Sequence, residues 1–163
     1  MFARDFVDLE RPFAEVAHRF VTDTTWLAPL AERAVRSARA LTTRLAGPGP
    51  AVGPDDRPDG SVRCTAGPVR TAGAGILIPF VIAVAGGADL PRLVGELEVA
   101  PVGHRHTQVA CNVNYRRPTP AGIRPRVERA VAGGVREFLR GIAEHLDLPV
   151  PARPTDRGPP GPP

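Results

Sequence analysis

The chain has 163 residues, of which 42% are apolar and 23% charged, a composition typical of a soluble globular domain and unlike that of a disordered or membrane-embedded chain. Basic residues, all of them arginine, outnumber acidic ones by 21 to 17, so the net charge of +4 is too small to indicate a nucleic-acid partner. The longest apolar run, residues 75–87, is shorter than the roughly 20 residues that a membrane-spanning helix needs. The acidic N-terminus does not resemble a signal peptide, and we therefore expect a cytoplasmic protein with no membrane span.

The N-terminal part of the chain predicts one strand followed by two helices. Residues 2–10 have the pattern of a strand, and apolar residues at helical spacing then begin at Phe13 and again at Trp26. The apolar stripe of the second helix consists of Leu27, Leu30, Ala31, Ala34, Val35 and Ala38. Residues 40–47 could be the last turns of that helix or a separate strand, because their spacing fits both.

Antiparallel strands and one long helix make up the rest of the prediction. Strand patterns occupy residues 61–69, residues 75–85 and both arms of a hairpin at 93–115. The last helix covers about residues 122–146, and its apolar stripe is expected to pack on the sheet. That stripe consists of Ile123, Val127, Val131, Val135, Phe138, Leu139, Ile142 and Leu146.

Two segments are too rich in proline and glycine to belong to the core. Residues 48–60 predict a surface loop, and residues 149–163 predict a disordered tail that has no apolar spacing with which to dock. The prediction is therefore a single domain over residues 1–148.

The hairpin has one small, apolar face. Its residues alternate on both sides of a Gly-His-Arg-His turn, so every second side chain points to the same side of the sheet. The apolar face consists of Leu93, Gly95, Leu97, Val99, Val109, Cys111, Val113 and Tyr115. Side chains of this size either pack flat against the last helix or leave a hollow beneath it.

Three stretches in this order resemble the START-like helix-grip superfamily (SRPBCC), in particular its polyketide cyclase/dehydrase-like branch. They are RPFAEVAHRFVTDTTWLAPLA, GILIPF followed by LVGELEVAPVGHRHTQVACNVNYRRP, and the closing RVERAVAGGVREFLRGIAEHL. The resemblance covers roughly residues 2–147. It implies an α+β helix-grip fold, in which a curved antiparallel sheet of about six strands wraps around the long C-terminal helix, with two short helices after the first strand. It also favours a strand at residues 40–47.

The resemblance further implies an apolar cavity between the sheet and the last helix, where members of the superfamily hold a lipid-like or polycyclic ligand. We expect a cavity of ligand size, on the order of a few hundred Å³. The candidate ligand-binding residues are Trp26, Leu30, Phe80, Ile82, Val84, Leu93, Gly95, Leu97, Val109, Cys111, Val113, Tyr115, Val131, Val135 and Phe138.

Residues that could support catalysis are few. His104 and His106 belong to the hairpin turn, and two ligands alone do not make a metal site. His145 lies on the stripe of the last helix, where the helix dipole favours a histidine. The two cysteines, Cys64 and Cys111, have no metal or redox spacing and are expected to be buried free thiols. We predict neither a metal nor a cofactor.

The expected function is the binding of a hydrophobic small molecule. An enzyme of the cyclase/dehydrase type is the first alternative, with Tyr115 or His145 handling protons. A protein-interaction module is the second, because residues 75–85 are apolar on both faces and the outer face could be covered by another protein, including a second copy of the chain.

Overall fold

The residues that the structure describes form six strands and three helices in the order β1, α1, α2, β2 to β6, α3. The computed structural model describes residues 2–46, 61–84, 92–115 and 124–147. The elements are β1 Phe2–Leu9, α1 Phe13–Thr22, α2 Leu27–Ala46, β2 Val62–Ala66, β3 Arg70–Ala72, β4 Gly75–Val84, β5 Leu93–Val102, β6 His106–Tyr115 and α3 Arg124–Asp147. The predicted loop at 48–60 and the tail from 149 onward lie outside the described residues.

The strands form one open antiparallel sheet in the order β1-β6-β5-β4-β2. β2 and β3 both pair with β4 along the same edge, and Gly67 joins them by donating its backbone N–H to the carbonyl of Pro79 at 2.7 Å. In the predicted hairpin, Leu93 pairs with Tyr115 and Leu97 with Cys111. The pairing therefore puts the whole apolar set on one face, as the alternation predicts.

Both N-terminal helices begin where the sequence places them. The carbonyl of Pro12 accepts hydrogen bonds from the backbone N–H groups of Glu15 and Val16, which fixes the first turn of α1. The apolar side of α1 buries Val16 and Phe20 completely. α2 starts one turn after Asp23, whose carboxylate accepts hydrogen bonds from the backbone N–H and the hydroxyl of Thr25.

The second helix is longer than the resemblance implies. α2 runs for 20 residues and includes residues 40–46, so the expectation of a strand there is wrong. The reason is packing: α2 lies against α3 and also contacts β2, and Leu41 lies beside Gly133 of α3, so the helix still has a partner past residue 40.

Two helices share the concave face of the sheet. α3 packs over β1 and against α2, while α2 covers the side of β2. The stripe predicted for α3 is buried at every position that the structure describes, from Val127 to Leu146. No helix within the described ranges is both long and apolar enough to cross a membrane.

Candidate functional site

An apolar cavity lies between the concave face of the sheet and the two long helices. β4, β5 and β6 form its floor, and α2 and α3 form its roof. Its lining consists of Ala34, Val35, Ala38, Phe80, Ile82, Val84, Leu93, Cys111, Val113, Val131, Gly134, Val135 and Phe138. Carbon atoms dominate this surface, so the space suits a nonpolar group and offers little to bind water.

The cavity is much smaller than expected. Its volume is about 40 Å³, whereas we expected a few hundred, so the prediction of a ligand-sized hollow is wrong for the described residues. By comparison, an engineered apolar cavity that binds benzene has a volume of about 150 Å³. A polycyclic ligand therefore does not fit into the cavity in this conformation.

The position of α2 beside α3 explains the small volume. Ala34, Val35 and Ala38 project from α2 into the space that a helix-grip sheet would otherwise leave open beneath α3. Gly134 of α3 faces these residues, and a Cβ added there would lie 3.4 Å from the Ala34 carbonyl oxygen and 3.4 Å from the Ala38 Cβ. The two helices thus meet through small residues and pack closely over the sheet.

Nine of the fifteen candidate ligand-binding residues line this cavity. They are Phe80, Ile82, Val84, Leu93, Cys111, Val113, Val131, Val135 and Phe138. The lining also includes Ala34, Val35, Ala38 and Gly134, which our candidate set lacks. The first three belong to the predicted stripe of α2, so helical spacing was the signal that could have identified them.

The other six candidates lie elsewhere. Leu97 and Val109 are fully buried in the core, and Leu30 packs beside Gly141 on the contact between α2 and α3. Trp26 lies near the C-terminal end of α3, where it contacts His145. Gly95 and Tyr115, described next, affect the cavity without lining it.

Gly95 makes room for the largest side chain of the cavity floor. A Cβ at this position would lie only 2.5 Å from the Phe80 Cζ and 2.7 Å from the backbone oxygen of Asn112. The Phe80 ring therefore lies over the glycine and meets Phe138 of α3 at a centroid distance of 5.6 Å. This tilted aromatic pair connects the sheet to α3 at one wall of the cavity.

Tyr115 lines a second, more polar groove between β1 and the first half of α3. This groove has a volume of about 490 Å³ and also includes Asp5, Glu128 and Val135. Val135 belongs to both linings, so the groove adjoins the apolar cavity. Tyr115 is thus placed at the boundary of the cavity and does not reach its interior.

Asp5 of β1 is an acid on the inward face of the sheet, outside the predicted hairpin. It pairs with Cys111 across the sheet, and its carboxylate lies 3.8 Å from the Arg136 guanidinium of α3. The same carboxylate accepts a hydrogen bond of 3.0 Å from the backbone N–H of Phe6. Alternation along β1 was the available signal, because Asp5 shares the face of Val7 and Leu9.

Both cysteines are free, as predicted, but only Cys111 is buried as expected, since Cys64 is half-buried, and neither thiol is activated. Burial raises the pKa of the Cys111 thiol to about 12, and the charge of Asp5 adds to this effect. Burial alone raises the pKa of the Cys64 thiol to about 11. At neutral pH both groups therefore stay protonated, which argues against a thiolate nucleophile in the cavity.

The histidines also lie away from the cavity. His145 stacks on Trp26 at the far end of α3, and His104 and His106 are exposed around the hairpin turn. Within the described ranges no group of three or more side chains could hold a metal ion. Neither proton-handling candidate, Tyr115 or His145, lines the apolar space.

The fold is an α+β helix-grip architecture: an antiparallel six-stranded sheet, a pair of helices after the first strand and a long C-terminal helix that packs into the concave face of the sheet. Its site is a narrow apolar cavity beneath that helix. No protein-family model matches the chain, and no curated protein matches its sequence.

Three solved structures show a likeness of shape. TTHA0849 from Thermus thermophilus is 16% identical, with 90% of this chain and 97% of that one covered and a TM-score of 0.49. Mll3558 from Rhizobium loti is 12% identical, with coverage of 86% and 97% and a TM-score of 0.38. Ara h 8.0201 is 12% identical, with coverage of 90% and 97% and a TM-score of 0.35. With each of these TM-scores below 0.5, the function of this chain has to be argued from its own residues.

Proposed function

We propose that this protein binds a hydrophobic small molecule in the apolar cavity between the sheet, α2 and α3, and that α2 shifts to admit it. The observation that carries the proposal is an unfilled space lined almost wholly by carbon at the centre of a helix-grip fold. Protein interiors are normally packed to the density of organic crystals, so such a space is a departure from the usual core.

The roof of the cavity supplies a means of enlargement. α2 and α3 meet there through Ala34, Ala38 and Gly134, which have no long side chains to interlock. Separating the helices at this point would break the contacts among these small residues and the ion pairs of Arg33 with Glu137 and Glu144, and the apolar surface exposed on both helices would be covered by the ligand. The ligand that fits this route is slender, such as an unbranched acyl or alkyl chain.

The cyclase/dehydrase alternative receives no support from the site. The cavity lining carries one ionisable side chain, Cys111, and its raised pKa keeps it neutral. General acid–base catalysis requires a titrating group within hydrogen-bond reach of the reacting atoms. We therefore propose binding without catalysis.

The test is binding of cis-parinaric acid, a fluorescent fatty acid, to variants that change the cavity in opposite directions. Ala38→Leu should fill the cavity and weaken binding about tenfold or more, which corresponds to about 1.4 kcal/mol. Val135→Ala should enlarge it and strengthen binding, at a cost in stability that a denaturant melt records.

Matched controls make the same changes at exposed positions. Ala14→Leu on α1 and Val102→Ala at the end of β5 should leave binding unchanged, because both residues are exposed to solvent. Absence of binding by the wild-type protein, or an equal effect of Ala38→Leu and Ala14→Leu, would refute the proposal.

A further inference from the structure

β1 is an edge strand with an unusual amount of exposed aromatic surface. It pairs with β6 on one side and has no strand partner on the other side among the described residues. Phe2 and Phe6 are 60% and 56% exposed, although the whole chain has only six phenylalanines. Exposed edges of this kind are sites where another strand can pair.

The backbone of β1 shows which residues face the free edge. Along an antiparallel strand, successive residues direct their N–H and C=O groups alternately to the two sides. The N–H of Phe6 donates to the side chain of Asp5 and so points away from β6. Arg4 and Asp8 have the same parity, and their backbone groups point to the free edge as well.

We propose that two copies of this chain associate through β1, in an antiparallel pairing with Phe6 on the twofold axis. In that register Phe6 lies opposite Phe6 of the second copy. Arg4 of each copy lies opposite Asp8 of the other, so the interface has two such charge pairs. Directly opposite aromatic pairs and opposite charges both stabilise a sheet. Centring the axis on Arg4 or Asp5 would instead place like charges face to face, which is unfavourable.

Arg4 and Asp8 can give up their contacts within the chain for contacts with the second copy at a small cost in free energy. Arg4 contacts Glu98 at a distance of 3.9 Å, and Asp8 accepts a hydrogen bond of 3.1 Å from the Gln108 side chain. Both contacts are exposed, and contacts of this kind contribute little to the fold. The bond from the Phe6 N–H to Asp5 has to break when the strands pair, so Asp5 limits the strength of the association.

The experiment measures molar mass by light scattering over a wide range of protein concentration, because dimerisation follows mass action. The wild-type protein should shift from the monomer of 17.3 kDa toward twice that mass as concentration rises. Asp8→Arg should weaken association about tenfold, because two favourable charge pairs become two repulsive ones. The exchanged double variant Arg4→Asp/Asp8→Arg should restore it.

Two further variants test the geometry. Asp5→Ala should strengthen association, because it releases the N–H of Phe6. Val94→Ser removes another exposed apolar side chain, on β5 away from the edge, and should have no effect. Hydrogen exchange of residues 2–9 should slow as concentration rises.

The proposal is overturned by a monomer at every concentration, or by a dimer that Asp8→Arg leaves intact. A double variant that folds but stays as weak as Asp8→Arg alone would overturn it too. Loss of the dimer on Val94→Ser would indicate contact through the outer face of the sheet instead, and would equally refute the strand pairing.

Discussion

His145 stacks on Trp26 with the ring centroids 4.4 Å apart and the planes inclined by 13°, which ties the C-terminal turn of α3 to the start of α2. The indole Nε1 of Trp26 donates to the carbonyl of Asp23 at 2.6 Å, and Arg19 donates to the carbonyl of His145 at 3.2 Å. A stacked pair at this junction connects all three helices. It therefore contributes to stability and not to the cavity.

This stack should make stability depend on pH. Burial lowers the pKa of His145 below its usual value of 6.5, and the nearby Arg19 lowers it further, while Asp23 opposes the shift. Because the folded state disfavours the proton, the contribution is complete above pH 6.5 and is lost as pH falls from there toward the folded pKa. The melting temperature should therefore fall as the pH is lowered from neutral through 6.5.

The variant that isolates this effect is His145→Phe, which keeps an aromatic ring against Trp26 but cannot titrate. Its melting temperature should change less with pH than that of the wild type. His104→Phe, at the exposed hairpin turn, serves as the control and should retain the wild-type dependence. Equal pH profiles for the wild type and His145→Phe would contradict the assignment.

Replacing Gly134 by alanine should stabilise the protein. Alanine is better than glycine by about 1 kcal/mol inside a helix, and the added Cβ would meet its neighbours at ordinary contact distances of 3.4 Å. A urea melt should show a higher midpoint with an unchanged slope. A lower midpoint would mean that α2 and α3 cannot accommodate even one methyl group between them.

The same substitution at Gly95 should have the opposite effect. Its Cβ would collide with the ring of Phe80 and with the backbone of Asn112, and the backbone cannot move aside easily. Overpacking of this kind costs about 1–3 kcal/mol, which the same urea melt would measure. A melt of Gly95→Ala that matches the wild type would show that the Phe80 ring is free to move off the hairpin.

Cys111 offers a direct report on opening of the cavity. Its side chain is fully buried and its thiol has a pKa of about 12, so a thiol reagent should reach it only when α2 and α3 separate from the sheet. In a Cys64→Ser background, labelling of Cys111 should be slow in the native protein and slower still with cis-parinaric acid bound. Labelling as fast as in urea would mean that the cavity is not closed at rest.

Alternation and helical spacing predicted most of the architecture because they act locally. The hairpin register follows from the period of two residues, and it places Leu93 opposite Tyr115 and Leu97 opposite Cys111 as found. The buried stripe of α3 follows in the same way from its period of 3.6 residues. Neither the hairpin register nor the α3 stripe depends on which element packs against it.

The cavity could not be predicted as well, because its volume depends on how two distant segments share one face of the sheet. Residues 40–46 fit both a strand and a helix, and their spacing alone does not decide between them; in the helix that forms, Leu41 lies beside Gly133 of α3. Ala34 and Ala38, which belong to the predicted stripe of α2, occupy part of the space that we expected a ligand to fill.

The small residues at the contact between α2 and α3 determine how closely the two helices approach each other and how much space remains beneath them. Replacing Ala34, Ala38 or Gly134 by a larger residue would reduce the space beneath the two helices, while every strand of the sheet stayed in register. Under the proposed function, substitutions on two helices alone would therefore change the width of ligand that the cavity admits. The floor formed by Phe80, Cys111 and Val113 would stay the same.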